Sequence, residues 1–249
     1  GADQWLAPSH SSAGSTNDRR APPPRVARSP DEGAGRRFDS CPAHHGAPPG
    51  GAQGGRVRVL VACEFSGTVR DAFRARGHFA VSCDLMPAES GAPHYQGDVR
   101  ELIKSWGGWD LLIAHPPCTH LAVSGARWFK DKEQEQMEAL DFVRYLMSAP
   151  IPRICIENPV SVISSRIRKP DQSIQPWQFG HGEVKRTCLW LKNLPRLRPT
   201  QIVDGREARV HRMPPGPDRW RERSRTFSGI AEAMADQWGW LPCAERAAA

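Results

Sequence analysis

The chain has 249 residues, 39% of them hydrophobic, and a formal net charge of +7. No stretch approaches the ~20 apolar residues that a helix needs to cross a bilayer, which excludes a helical membrane span and leaves a polyanion such as nucleic acid as the favoured partner. Its seven cysteines form no C-x-x-C pair, which speaks against a metal site, and their odd number favours a reducing, cytoplasmic setting.

Composition changes sharply along the chain. Residues 1–55 are nearly all Gly, Pro, Ala, Ser, Arg and Asp, with no apolar periodicity and no continuous apolar core of the secretory type. Such a segment cannot offset its ordering entropy and is read as a disordered tail. Residues 56–245 remain as one domain, long enough to bury a core. Its charge is uneven: Lys185 to Arg225 holds twelve Lys/Arg against four Asp/Glu. Within it, 192–225 is a basic, loop-rich stretch suited to contact with a nucleic acid.

Arg56 to Cys63 is a continuous β-branched run, as in a strand buried on both faces. The tight turn Glu64-Phe65-Ser66-Gly67 leads into a helix over Thr68 to Arg76, with Gly77 closing it. Strand, small-residue turn and helix N-terminus together allow backbone to approach a ligand closely, although one glycine and no lysine make a weak phosphate loop. Phe79 to Cys83 is a second strand ending in Asp84, where doubly wound folds hold ribose hydroxyls. Asp98 is placed to cap a helix over Val99 to Lys104. Leu111 to Ala114 is a third strand, and Pro116-Pro117 aims Cys118 off its carboxyl end. A long helix over Lys132 to Ser148 turns Met137, Leu140, Val143 and Met147 to the core. The strand Ile154-Cys155-Ile156 follows, with Glu157 at its tip. This alternation predicts an α/β fold with a mostly parallel sheet. Beyond it the pattern predicts a strand at Thr187 to Leu191, a short strand at Thr200 to Val203, and a last helix from Ser228, as its cap, to Trp238, its Ile230, Met234 and Trp238 buried.

Pro116-Pro117-Cys118 followed by Glu157-Asn158-Pro159-Val160 resembles the DNA (cytosine-5) methyltransferase family, in particular its small phage- and prophage-encoded members. The Phe65-Ser66-Gly67 turn, Asp84, Asp98 and the closing helix fall in that family's order. The resemblance implies a Rossmann-like S-adenosylmethionine-dependent methyltransferase fold with a reduced or absent target-recognition domain. It implies that Cys118 adds to C6 of cytosine and that Glu157 bonds N3 and the exocyclic amine. Phe65, Ser66, Gly67, Asp84, Asp98 and Pro116 would contact S-adenosylmethionine. The chemistry needs both groups: an aromatic pyrimidine is a poor carbon nucleophile, so covalent addition divides a hard step and an acid stabilises the charge that develops. In duplex DNA the base must be flipped out.

The sequence departs from the family in three places. Cys63 and Val69 stand where the family has an acid and a second glycine around the cofactor turn. Glu183-Val184-Lys185-Arg186-Thr187 only partly matches the signature Gln-x-Arg-x-Arg, leaving Lys185 or Arg186 to clamp the base or its phosphate. The stretch before the last helix is too short for an elaborate reader, so Lys185, Arg219, Arg221 and Arg223 are expected to hold mainly phosphates. Two alternatives stay open: alkyl transfer to RNA, to a free nucleotide or from a modified donor, and a non-catalytic nucleic-acid-binding module of the same fold.

Overall fold

The structure, a computed structural model, describes residues 55–91, 93–105, 107–125 and 132–240. The chain divides into two units, Gly1–Gly50 and Gly51–Ala249, and every described residue belongs to the second. The tail expected over residues 1–55 thus lies, but for Gly55, outside the described residues, as do Cys41 and Cys243.

Strand β1 (Arg58–Ala62) has parallel neighbours on both sides, β2 (Phe79–Asp84) and β4 (Leu111–Ala114). That is why its run is apolar without alternation. β3 (His94–Gln96) extends the sheet beyond β2, and β5 (Arg153–Pro159) pairs in parallel with β4. β7 (Thr187–Lys192) then runs antiparallel to β5 and to the short edge strand β6 (Gln172–Ile174). The result is a seven-stranded mixed sheet in the order β3-β2-β1-β4-β5-β7-β6. The chain winds outward from β1 in one direction and from β4 in the other, so a crevice opens at their carboxyl ends, the ligand position of open α/β sheets.

Helices cover both faces. Leu60, Ala62, Val81, Leu112, Ile154 and Ile156 point to the face carrying α2 (Val99–Ser105) and α3 (Glu133–Met147). Their neighbours Val59, Val61, Leu111, Ile113 and Cys155 point to the face carrying α1 (Thr68–Ala75) and α7 (Ser228–Trp238). The period of two along each strand divides one apolar run between two cores.

Several expectations are corrected. In α3 the buried residues are Leu140, Val143 and Leu146, while Met137 is 54% exposed; the helix meets the sheet only through its second half. Residues 200–203 form no strand; Gln201 makes a single bridge to Phe179. Ser228 begins α7 rather than capping it, and the free N–H of Gly229 is taken by His181 Nε2 at 3.0 Å. Ile230, Met234 and Trp238 are buried in α7 as expected. Sequence periodicity had not shown β3, β6, or the short helices α4 (Ile163–Arg166), α5 (Arg209–Arg212) and α6 (Arg219–Ser224). Among the described residues no helix is long and apolar enough to cross a membrane.

Candidate active site

The parallel register of β4 and β5 sets Ala114 beside Ile156, so the next residues along the two strands, His115 and Glu157, fall side by side. His115 Nδ1 lies 2.9 Å from Glu157 Oε2. Glu157 is not at a strand tip. β5 continues past the end of β4 because β7 pairs with it through Pro159, which holds Glu157 in regular backbone.

The Pro116-Pro117-Cys118 turn is fastened to the segment after β5. Asn158 Nδ2 donates to the Pro116 carbonyl at 2.8 Å, Val123 N–H to Val160 O at 3.1 Å, and Val162 N–H to Leu121 O at 2.9 Å. Asn158 thus ties the turn that bears the thiol to the strand that bears the acid. Leu121 and Ala122 N–H both donate to the Cys118 carbonyl, turning the chain directly after the cysteine and leaving that residue exposed.

Charge couples the groups. Partial desolvation raises the Cys118 thiol, the Glu157 charge raises it further, and Lys185 and then Arg223 oppose. Burial would raise Glu157, but the hydrogen bond and charge of His115, the Lys185 ammonium and the Thr187 hydroxyl together hold it below the ordinary carboxyl value. Burial would likewise lower His115, but Glu157 and then Glu64 hold it above the usual imidazole value. Of the two basic residues before β7, Lys185 therefore acts on the thiol and the acid, whereas Arg186 is exposed and its Nη2 lies 3.5 Å from Ser173 Oγ on β6. Glu183, the first residue of that stretch, is buried; its carboxylate accepts from Val210 N–H and Arg209 Nε at the start of α5.

A cavity of ≈ 290 Å³ opens at the carboxyl ends of β1, β2 and β4. Asp84 and Asp98 line it with Leu85, Val99, Pro117 and Phe142. Pro117 rather than Pro116 faces it, and Phe65, Ser66 and Gly67 lie outside its lining. Asp98 caps α2 as expected, its Oδ1 accepting Arg100 N–H at 2.9 Å. Asp84 Oδ1 accepts Met86 N–H at 2.9 Å, and burial holds its carboxyl above the usual value. Two further thiols border the cavity; burial, reinforced by Asp84, keeps Cys63 far above the ordinary thiol value and Cys83 at about 12.

The turn before α1 is closed from within. Glu64 is buried and its carboxylate accepts Val69 and Arg70 N–H, so the chain itself occupies the N-terminus of α1. Gly67 has φ +74°, and a Cβ there would collide with the Arg70 guanidinium and the Ser90 hydroxyl. Arg70, 1% exposed, bonds Asp71, Ser82 and Ser90 beneath the turn. This network was missed in the sequence because an arginine on a helix next to an aspartate reads as an exposed pair.

The basic stretch folds back over this turn. The Trp220 ring packs tilted at 54° to the Phe65 ring, centroids 5.8 Å apart, and Arg221 and Arg225 both pair with Glu89, at 2.7 and 2.8 Å. Lys185 Nζ donates to the carbonyls of Arg223 and Arg225. Arg219 Nε donates to Met213 O. Of the three arginines expected to hold phosphate, then, Arg219 and Arg221 already have partners, while the Arg223 charge makes the smallest of the contributions that lower the Cys118 thiol.

No family model and no curated protein matches the chain. The site places together an exposed cysteine whose thiol is partly desolvated, a carboxylate that an imidazole and an ammonium lower, and a cavity lined by Asp84 and Asp98 at the adjoining strand ends. Thiol and acid suit covalent addition to a polarised double bond, with a proton managed at a neighbouring atom. Among the described residues no group of three His, Cys, Asp or Glu side chains is arranged to hold a metal ion.

Proposed function

We propose that the chain transfers a methyl group from S-adenosylmethionine to C5 of cytosine in DNA, through a covalent adduct between Cys118 and the base. The observation that carries this is the coupling of Cys118, in the turn after β4, to Glu157, within β5, through the Asn158–Pro116 hydrogen bond and through charge. The sheet order, doubly wound about β1 and β4, is compatible with a Rossmann-like methyltransferase fold.

The cavity suits the cofactor's nucleoside. Asp84 stands at the ribose position of doubly wound sheets, Asp98 offers a second acceptor, and Leu85, Val99 and Phe142 supply apolar walls. Its volume lies near the low end of ligand pockets, which run from about 300 to 1,000 Å³. S-adenosylmethionine held there supplies an electrophilic methyl group. The chain's residues do the rest. Cys118 Sγ attacks C6, and Glu157 accepts from the exocyclic amine and governs the proton at N3. A base hydrogen-bonded to Glu157 screens the smaller of the two contributions that raise the thiol, while Lys185 and Arg223 oppose both.

Radiolabelled methyl transfer to duplex DNA, single-stranded DNA, RNA and dCTP tests the proposal. Label should appear at cytosine C5 in DNA and be lost in Cys118→Ser and Glu157→Gln. Label confined to RNA or dCTP, or undiminished in Cys118→Ser, would contradict it.

A further inference from the structure

His115 directly precedes Pro116-Pro117-Cys118, and its side chain is 9% exposed. Its Nδ1 is bonded to Glu157, and its buried Nε2 has no hydrogen-bond partner. The charged groups that act on the ring are Glu157 from β5, Glu64 from the turn after β1, Lys185 from the approach to β7 and Asp84 from the end of β2. Three carboxyls against one ammonium make the surroundings electronegative, which favours the imidazolium.

The shifts agree in direction with this geometry: the hydrogen bond and charge between the two lower Glu157 and raise His115, each against the opposing effect of burial. This creates a chemical problem for the reaction. When a thiolate adds to C6, the C5=C6 π pair moves into the ring and N3 needs a proton. A resting Glu157 carboxylate has none to give.

We propose that His115 is a positioning residue that stores the proton delivered through Glu157 to N3 of the target cytosine. This rests on the methyl-transfer proposal above. As the Sγ–C6 bond forms, the Nδ1 proton passes to Glu157 Oε2. A turn of the carboxyl about its terminal torsion, a soft rotation, presents that proton to N3. The imidazole is left neutral, Glu157 returns to carboxylate and the adduct carries the proton. When the methylated adduct breaks down, water takes the C5 proton, the C5–H pair re-forms the C5=C6 bond, Cys118 leaves as thiolate, and the N3 proton retraces the path. His115→Asn keeps a donor toward Glu157 but cannot hold a mobile proton.

Two measurements test this. The first is the rate of adduct formation with 5-fluorocytosine DNA as a function of pH. In the wild type the rate should fall as pH rises through the raised His115 value, because the pair then loses its proton. In His115→Asn the proton must reside on Glu157 alone, so the falling limb should move toward acid and the neutral rate drop by at least about tenfold. A purely structural role would lower the rate evenly and leave the limb in place, which would overturn the proposal. The second is an ¹⁵N imidazole titration of the free wild-type protein and of Glu157→Gln, which depends on no turnover. The His115 midpoint should lie above 6.5 in the wild type and fall in the variant; a midpoint at or below 6.5, or one unmoved by Glu157→Gln, would overturn it. A wild type that shows the shifted midpoint yet forms no adduct with any cytosine substrate would contradict methyl transfer, and the storage role would fall with it.

Discussion

The parallel half of the sheet and the basic stretch before α7 are held by different forces. β1, β4 and the first part of β5 are apolar and almost wholly buried, and α1 and α7 close over one face through Phe73, Met234 and Trp238. The basic stretch buries no residue of α5 or α6. Apart from Leu197, which is buried in the core with α7, it is fixed by Glu89 to Arg221 and Arg225, by Lys185 to two carbonyls, and by Glu183 at the start of α5. The first kind of contact sets Cys118 and Glu157 in place regardless of salt. The second holds the stretch that carries Arg223 through half-exposed ion pairs, which salt screens in part and which contribute little each. Under the proposed function, a site built this way would keep its chemistry rigid and its contacts to DNA adjustable.

The contrast can be broken most severely by truncating one tryptophan from each region. Trp238→Ala empties a fully buried site in α7 and should cost about 3–5 kcal/mol in denaturant unfolding. Trp220→Ala removes a ring that is 51% exposed and should cost less than about 1 kcal/mol. Equal costs would mean that α6 belongs to the core after all.

A smaller effect sharpens the same contrast at the nucleic acid. Arg221 is already paired with Glu89, whereas among the described residues Arg223 has no salt-bridge partner. Arg223→Ala should therefore reduce the slope of log affinity for duplex DNA against log salt by about 1, the loss of roughly one phosphate contact. Arg221→Ala should change that slope by less. Equal changes would show that Glu89 releases Arg221 to DNA and that the stretch rearranges on binding.

The two regions also differed in how far the sequence revealed them. β4 falls at Leu111–Ala114, as the apolar run indicated, and Asp98 caps α2, because local pattern and local chemistry govern both. Cys118 and Glu157 were legible as polar residues following apolar strands. Their neighbour His115 was not, since its role depends on the register of β4 against β5, which joins residues 42 apart. Glu64, Arg70 and Glu89 were opaque for a similar reason: each acts through buried or long-range polar contacts that leave no periodic trace. In the basic stretch composition indicated a phosphate-binding run, but pairing within the fold decides which arginines are available, and composition carries no pairing.

The central claim is that Cys118 attacks the base while Glu157 manages its proton. Fluorine at C5 cannot leave as a proton, so a 5-fluorocytosine DNA incubated with the protein and S-adenosylmethionine should arrest the reaction as a covalent complex. That complex should survive denaturing electrophoresis, map to Cys118 by peptide mass analysis, form slowly in Glu157→Gln and be absent in Cys118→Ser. A complex that still forms in Cys118→Ser, or one that maps to Cys63 or Cys83, would contradict the assignment.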